Sequence, residues 1–212
     1  MPEFTLVLAS SSPRRRELLE LTDLLFATHP VHIDEEPILG EAADSYVSRL
    51  ATKKAAEAAK RIASRLPEDN GKNSILVLGA DTTVVAGTEI LGKPLDRADA
   101  RRMLKLLSGG WHKVCTGVSL CSVSKLTNPV LINSKVVASR VKFRHLTESE
   151  IQWYWETGEP VDKAGGYAIQ GRGGVFVEKI EGSFSGIVGL PLCETVELLG
   201  QAGFSLGFCK YE

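Results

Sequence analysis

The stretch from Leu6 to Leu19 constrains the fold of this 212-residue chain more than any other. Leu6-Val7-Leu8-Ala9 is an apolar run with no polar alternation, the pattern of a strand covered on both faces. Ser10, Ser11 and Ser12 follow, and Pro13 then opens a helical pattern carried by Leu18, Leu19, Leu21, Leu24 and Leu25. Proline suits the first helical position because its missing N–H is one of the unpaired donors there, and Ser12 before it is placed as an N-cap. Arg14, Arg15 and Arg16 fill the first turn, where free N–H groups and the helix dipole already favour anions and disfavour cations. Guanidinium groups gathered at such a point, beside hydroxyls and after a buried strand, describe a site for phosphate.

A second stretch, Ile75 to Val85, delivers Gly79-Ala80-Asp81-Thr82 from one apolar run straight into another. An aspartate in such surroundings must be paired, bound to metal, or held with a shifted pKa. A third, Asp162 to Gly174, is too rich in glycine for regular structure, so its backbone turns tightly or approaches something closely. Asp162, Lys163 and Arg172 sit among those glycines with a lone Gln170, a side chain suited to reading a base edge. All three stretches follow strand ends, where α/β sheets gather their ligand sites.

Between them, strands and helices interleave, so the class is α/β with a mixed sheet. After Phe26–Ile33, which can run extended, Asp34-Glu35-Glu36 supplies three carboxylates. Opposite a phosphate site these are candidate ligands for a hard divalent cation. Ala43 to Leu66 has helical apolar spacing, with Lys53, Lys54, Lys60, Arg61 and Arg65 expected mostly on its other face. Pro67 to Asn73 reads as a surface loop. Gly87-Thr88 reads as a hairpin turn, and the following segment to Lys93 imitates the opening of a P-loop. Pro94 stands where that motif needs Ser or Thr, and it disfavours the helical region for Lys93, so Lys93 is instead a fixed cation on a rigid turn. Asp96 caps a helix ending at Ser108-Gly109-Gly110. Strands then follow over Trp111–Ser124 and up to about His145, separated by a loop through Lys125 to Pro129. Thr147 to Glu150 is a capping box, Val175–Ile180 a further strand, and Gly189-Leu190-Pro191 leads into a last helix. The aromatics Trp153, Tyr154 and Trp155 near a helix end read as packing more than as a base platform.

An apolar content of 43% and a charged content of 24% are those of an ordinary globular protein, and the length suits one domain, residues 1–212, of two lobes sharing a core. A net charge of −1 provides no global attraction to nucleic acid or to an anionic membrane. With no basic leader, no apolar run of spanning length, and Cys115, Cys121, Cys193 and Cys209 scattered without zinc spacing, a reduced, cytoplasmic setting is expected.

The motifs Ala9-Ser10-Ser11-Ser12-Pro13-Arg14-Arg15, Gly79-Ala80-Asp81-Thr82, Gly92-Lys93-Pro94, Leu107-Ser108-Gly109, Asp162-Lys163-Ala164-Gly165 and Gly189-Leu190-Pro191 resemble the Maf family in order and spacing. The resemblance covers essentially the whole chain. It implies a two-lobed fold shared with the inosine triphosphatases, built around a mixed, twisted sheet with a cleft between lobes, often as a homodimer. It implies a nucleoside triphosphate pyrophosphatase that yields the monophosphate and pyrophosphate with a divalent metal cation, Mg²⁺ or Mn²⁺. Transferred position by position, the proton acceptor falls on Asp81 and the specificity positions on Arg14, Thr82 and Gln170. The phosphate environment falls on Ser12, Arg15, Lys54, Lys93 and Lys163, and the metal environment on Asp81 with Asp34 or Glu35. Arg14, Thr82 and Ile169-Gln170-Gly171 resemble the branch acting on dTTP and UTP, not the branch preferring 7-methyl-GTP. Gly166 and Ala168 swap small residues relative to the family pattern around Tyr167. A pyrophosphatase for modified or purine nucleotides is the alternative enzyme, and a regulator of septum formation that holds nucleotide without turnover is the alternative outside enzymes.

Overall fold

The computed structural model of the chain describes residues 4–66, 74–124 and 127–204, so the loop expected at Pro67–Asn73 lies outside the described residues, as does Cys209. The strands are β1 (Phe4–Leu8), β2 (Phe26–Thr28), β3 (Ser74–Ala86), β4 (Glu89–Leu91), β5 (Trp111–Ser124), β6 (Thr127–Phe143) and β7 (Val177–Glu181). They pair as one seven-stranded sheet in the order β2-β1-β3-β5-β6-β7, with β4 bonded to β3. The sheet is mixed: β1 runs parallel to β2 and β3, whereas β4 and β7 pair antiparallel to β3 and β6. The helices are α1 (Pro13–Glu20), α2 (Ala43–Ala63), α3 (Arg97–Leu107), α4 (Glu148–Glu156), α5 (Phe184–Val188) and α6 (Leu192–Gln201). This is the α/β architecture expected from the interleaved pattern.

By contacts the chain divides into two units. One comprises Met1–Asp81, Gly117–Val136 and Gly189–Glu212, and the other Thr82–Thr116 and Val137–Val188. In the first, Leu6, Val7, Leu8 and Ala9 are all buried, as a strand covered on both faces requires. The Ala-rich face of α2 packs on β1 and β3, with Ala55, Ala58 and Ala59 against Val7, Ile75 and Val77. The contact is close because β3 carries Gly79: a Cβ there would stand 2.2 Å from the Ala51 carbonyl oxygen and 2.7 Å from the Ala55 nitrogen. Two small-residue surfaces thus let a helix backbone settle onto a strand.

The second unit is packed around aromatic residues. Phe143, Tyr154 and Phe176 are fully buried, with Leu104, Leu107, Ile151 and Tyr167 in the same cluster. Asp96 accepts the Asp99 N–H and so caps α3, and Thr147 with Glu150 closes the expected capping box of α4.

Local pattern and structure part company in three places. α1 ends at Glu20, with Asp23 at φ 53, so Leu21 and Leu25 lie beyond it and are exposed rather than extending its apolar face. Strand β6 begins at Thr127, inside the loop expected to reach Pro129, because hydrogen bonding to β5 overrides the turn composition there. The strand expected from Val175 starts at Val177, preceded by a 3₁₀ turn over Arg172–Phe176.

Candidate active site

Parallel register brings three segments of the first unit to one end of the sheet. Leu8 pairs with Thr28 on one side and Leu78 on the other, so β1, β2 and β3 reach that level together. Beyond it, β1 leads into Ser10–Arg15 and β2 toward the acidic Asp34–Glu36 segment, while β3 continues as strand through Asp81 to Ala86, so Asp81 lies inside the strand and not at the strand end expected of it. Residues far apart in sequence therefore converge, as the carboxyl ends of parallel strands make them do.

At the start of α1 the arginine triplet separates by function. Arg15 donates from Nε to the Gly189 carbonyl at 2.8 Å and from Nη1 to Ser10 Oγ at 3.4 Å, which fixes its guanidinium against the strand end. Burial lowers the pKa of Arg15, while the charge of Asp81 works against that shift. Arg14 is half-buried beside it, close enough for like-charge repulsion. Arg16 instead reaches along the helix to Glu20 at 2.8 Å, an exposed i,i+4 pair. Ser12 occupies the N-cap position before Pro13, but its side chain makes no capping bond. Its own N–H donates to Ser10 Oγ at 3.2 Å, so Ser10, buried and absent from the expected site, organises the turn.

Lys54 departs most from the sequence pattern. It is only 8% exposed, and its Nζ lies 2.6 Å from both Asp81 Oδ1 and Glu35 Oε1. The signal was available: Lys54 follows Leu50 and Ala51 by four and three residues and precedes Ala58 by four, which places it on the apolar face of α2. Asp81 itself is 6% exposed. Burial raises its pKa above the ordinary carboxylate range, and the opposing charges of Lys54 and Arg15 only partly offset this.

The acidic segment is held by α2. Tyr46 donates its hydroxyl to the Glu35 carbonyl at 2.8 Å, and Arg49 clamps Glu41 through two 2.6 Å contacts while reaching the Glu36 carbonyl at 3.2 Å. Burial, with the nearby charges of Asp81 and Glu35, pushes the Tyr46 phenol up to about 12. The structure brings Glu35, not Asp34, to Lys54. Asp34 Oδ1 accepts the Glu36 N–H at 2.9 Å within its own turn.

The other expected positions lie in the second unit. Thr82 follows Asp81 on β3, and successive strand side chains point to opposite faces, so Thr82 meets β5 instead of α2. Thr116 Oγ1 lies 2.9 Å from Thr82 Oγ1 and 2.7 Å from the Gly186 carbonyl, which makes Thr116 a buried support that sequence reading missed. Lys93 is exposed on its Gly-Lys-Pro turn, and the Gly165 N–H donates to the Gly92 carbonyl at 3.0 Å, tying that turn to the segment after Lys163. Lys163 pairs with Asp162. Gln170 is exposed on the glycine-rich segment between the 3₁₀ turns.

Among the described residues no group of three or more His, Cys, Asp or Glu side chains is placed to hold a metal ion. Glu35 and Asp81 nevertheless present carboxylate oxygens to one shared ammonium. Such a two-carboxylate set suits a hard cation whose remaining positions are filled by water and phosphate oxygens. The donor chemistry fits Mg²⁺ or Mn²⁺. No helix among the described residues is long and apolar enough to cross a membrane.

A parallel strand end that gathers guanidinium and ammonium groups around a buried carboxylate belongs to the anion-handling α/β proteins. Within that class the chain belongs to the Maf family: the family described as Maf-like protein matches residues 5–202. Over 204 residues it is 51% identical to the dTTP/UTP pyrophosphatase of Hahella chejuensis (strain KCTC 2396), spanning 95% of this chain and 94% of that one. A protein of the same name from Myxococcus xanthus (strain DK1622) is 51% identical over 201 residues, again spanning 95% and 94%. Among solved structures, a HAM1 protein from Coxiella burnetii aligns with a TM-score of 0.38 at 16% identity, over 66% of this chain and 73% of that one. A nucleoside-triphosphatase / dITP/XTP pyrophosphatase from Mycobacterium abscessus ATCC 19977 / DSM 44196 aligns at 0.36 and 14%, over 67% and 75%.

Proposed function

We propose that this Maf-family chain hydrolyses nucleoside triphosphates, dTTP and UTP first among them, to the monophosphate and pyrophosphate. The observation that carries the reading is the Glu35–Lys54–Asp81 bridge, with both contacts at 2.6 Å and with Lys54 and Asp81 buried, next to Arg15. The name shared by relatives about half identical in sequence supports the same chemistry and the same pair of substrates.

Hydrolysis at the α-phosphorus requires positioning and charge neutralisation more than covalent participation by protein. Arg14, Arg15 and the N–H groups opening α1 bind phosphate oxygens, with Ser12 beside them and Lys93 and Lys163 as further cations. Asp81 orients the attacking water and accepts its proton, and a pKa raised by burial makes it a stronger base than an ordinary carboxylate. Lys54 keeps that buried carboxylate ionised and holds Glu35 in place. Glu35 and Asp81 are the residues that would hold a divalent cation, which neutralises phosphate charge when bound. Thr82, positioned by Thr116, and Gln170 read the pyrimidine.

The test is pyrophosphate release from a panel of nucleoside triphosphates, with and without Mg²⁺ or Mn²⁺. Metal-dependent release, fastest from dTTP and UTP, is expected. Release confined to a purine would overturn the roles of Thr82 and Gln170 while keeping the chemistry. Nucleotide retained without release from any member would replace the enzyme with a sensor.

A further inference from the structure

Gln170 is flanked by an unusually complete set of backbone anchors. On its N-terminal side the Ala168 N–H donates to the Tyr154 hydroxyl at 3.0 Å. On its C-terminal side the N–H groups of Arg172 and Gly173 donate to Glu159 Oε2 and Oε1 at 2.9 and 3.0 Å. The two sides are joined, because the Tyr154 hydroxyl donates its own proton to Glu159 Oε1 at 2.6 Å. One carboxylate thus accepts three bonds, and the direction of every bond is fixed: amides only donate, a carboxylate only accepts, and the phenol does one of each.

The anchors are themselves rigid. Tyr154 is fully buried on α4, with its ring edge-on to Phe176 at 5.0 Å. Glu159 follows Gly158, which sits at φ 73 and turns the chain out of the helix, and the Glu159 N–H donates to Thr157 Oγ1 at 3.2 Å. The clamp also explains the local glycines. A Cβ on Gly173 would stand 2.6 Å from the Tyr154 hydroxyl, and one on Gly171 would stand 2.4 Å from Glu159 Oε2. Glycine lets the loop backbone approach the pair closely enough to bond to it.

We propose that Glu159, with Tyr154, is a positioning residue for base selectivity: it fixes the Ala168–Gly173 backbone so that Gln170 is presented to the base in one orientation. The inference rests on the reading that Gln170 contacts the base. Glu159→Gln preserves size but replaces one acceptor oxygen with an NH₂ group that faces an N–H or O–H donor, so the clamp cannot close. Tyr154→Phe removes the Ala168 bond and the link to Glu159 but leaves the Arg172 and Gly173 bonds in place.

The experiment measures kcat/KM for UTP and for GTP in wild type, Gln170→Ala, Glu159→Gln, Tyr154→Phe and the Glu159→Gln/Gln170→Ala double variant, with thermal melting to confirm folding. The UTP-over-GTP ratio is expected to fall by about ten- to a hundredfold in Glu159→Gln, the scale of an ångström-level misplacement, and by less in Tyr154→Phe. Because Glu159 acts through Gln170, the double variant should select no worse than Gln170→Ala alone. Should Glu159→Gln fail to fold, the Tyr154→Phe ratio, alone and combined with Gln170→Ala, decides by the same criterion. Selectivity lost in Gln170→Ala but kept in the clamp variants, or effects that simply multiply, would overturn the proposal and leave Gln170 as the reader. An unchanged ratio in Gln170→Ala would instead remove Gln170 from base reading, and the proposal with it.

Discussion

The two candidate regions solve different physical problems. Around Asp81 the problem is charge: a nearly buried carboxylate is tolerable because Lys54 sits 2.6 Å away with Arg15 nearby, whereas the like charge of Glu35 works against its ionisation, so removing Lys54 leaves Asp81 without its closest cation. Around Gln170 the problem is backbone shape: a glycine-rich segment with no helix or strand ladder of its own is held by side chains that bond to its N–H groups. The first region is fragile toward changes in charge, the second toward changes in hydrogen-bond geometry. Buried polar groups in the two units show the same contrast. Asp81 is charged and paired, whereas His112, bonded to Tyr167 through Nε2 at 2.8 Å, is kept neutral by burial, with no partner for Nδ1 among the described residues.

The sharpest break is expected from Asp81→Asn. Turnover should fall by about 10²- to 10⁴-fold, the range of general-base catalysis, while nucleotide still binds by fluorescence titration. Near-normal rates would take Asp81 out of the chemistry. Next is Lys54→Met, which leaves Asp81 buried without its cation and should cost about 3–5 kcal/mol in urea unfolding. Among surviving molecules the acid limb of the kcat/KM profile should move to higher pH, because removing the ammonium disfavours the carboxylate form. A limb that stays in place would show that Lys54 does not set the ionisation of Asp81.

A test on the other unit uses pH alone. Unfolded His112 takes up its proton near pH 6.5 and the folded imidazole only near 4, so between those values the unfolded state binds more protons and stability falls as pH falls. His112 should account for about 3 kcal/mol of that loss. Melting of His112→Gln over the same range should show a shallower decline, and an equal slope would assign the loss to carboxylates elsewhere. The smallest effect is expected from Arg16→Ala. Its exposed pair with Glu20 should be worth less than about 2 °C in Tm, with kcat/KM at the wild-type value, while Arg15→Ala lowers kcat/KM. Equal losses in the two variants would mean that the triplet acts as one basic patch.

Much of this is legible in the sequence. The uninterrupted apolar run Leu6–Ala9, the acid isolated at Asp81, and the caps Asp96 and Thr147 are local patterns, and local physics places them. The helix after Pro13 stops short of its sequence pattern because Leu21 and Leu25, though helically spaced, are exposed and gain no burial from a longer helix. Lysine is rarely buried, so residue type alone points Lys54 to solvent, although its position among Leu50, Ala51 and Ala58 puts it on the inward face. Thr116 and Glu159 carry no local sign of their contacts, since the Thr82 and Gly186 atoms and the Arg172 and Gly173 amides they meet are brought near only by folding.

By itself, then, the sequence determined the α/β class and the strand end before Ser10, because hydrophobic period and turn chemistry are properties of neighbouring residues; Asp81, expected at a strand end, instead lies inside β3, and the Gln170 stretch follows α4 and a 3₁₀ turn. Tertiary structure alone decided that Glu35 rather than Asp34 meets Lys54, that Arg15 reaches Gly189, and that Glu159 holds the loop bearing Gln170. The meeting of Glu35 with Lys54 depends on parallel-strand register and on the close approach of α2 at Gly79, and the register of a long-range pairing is set by what packs on both faces of the sheet, not by any one segment.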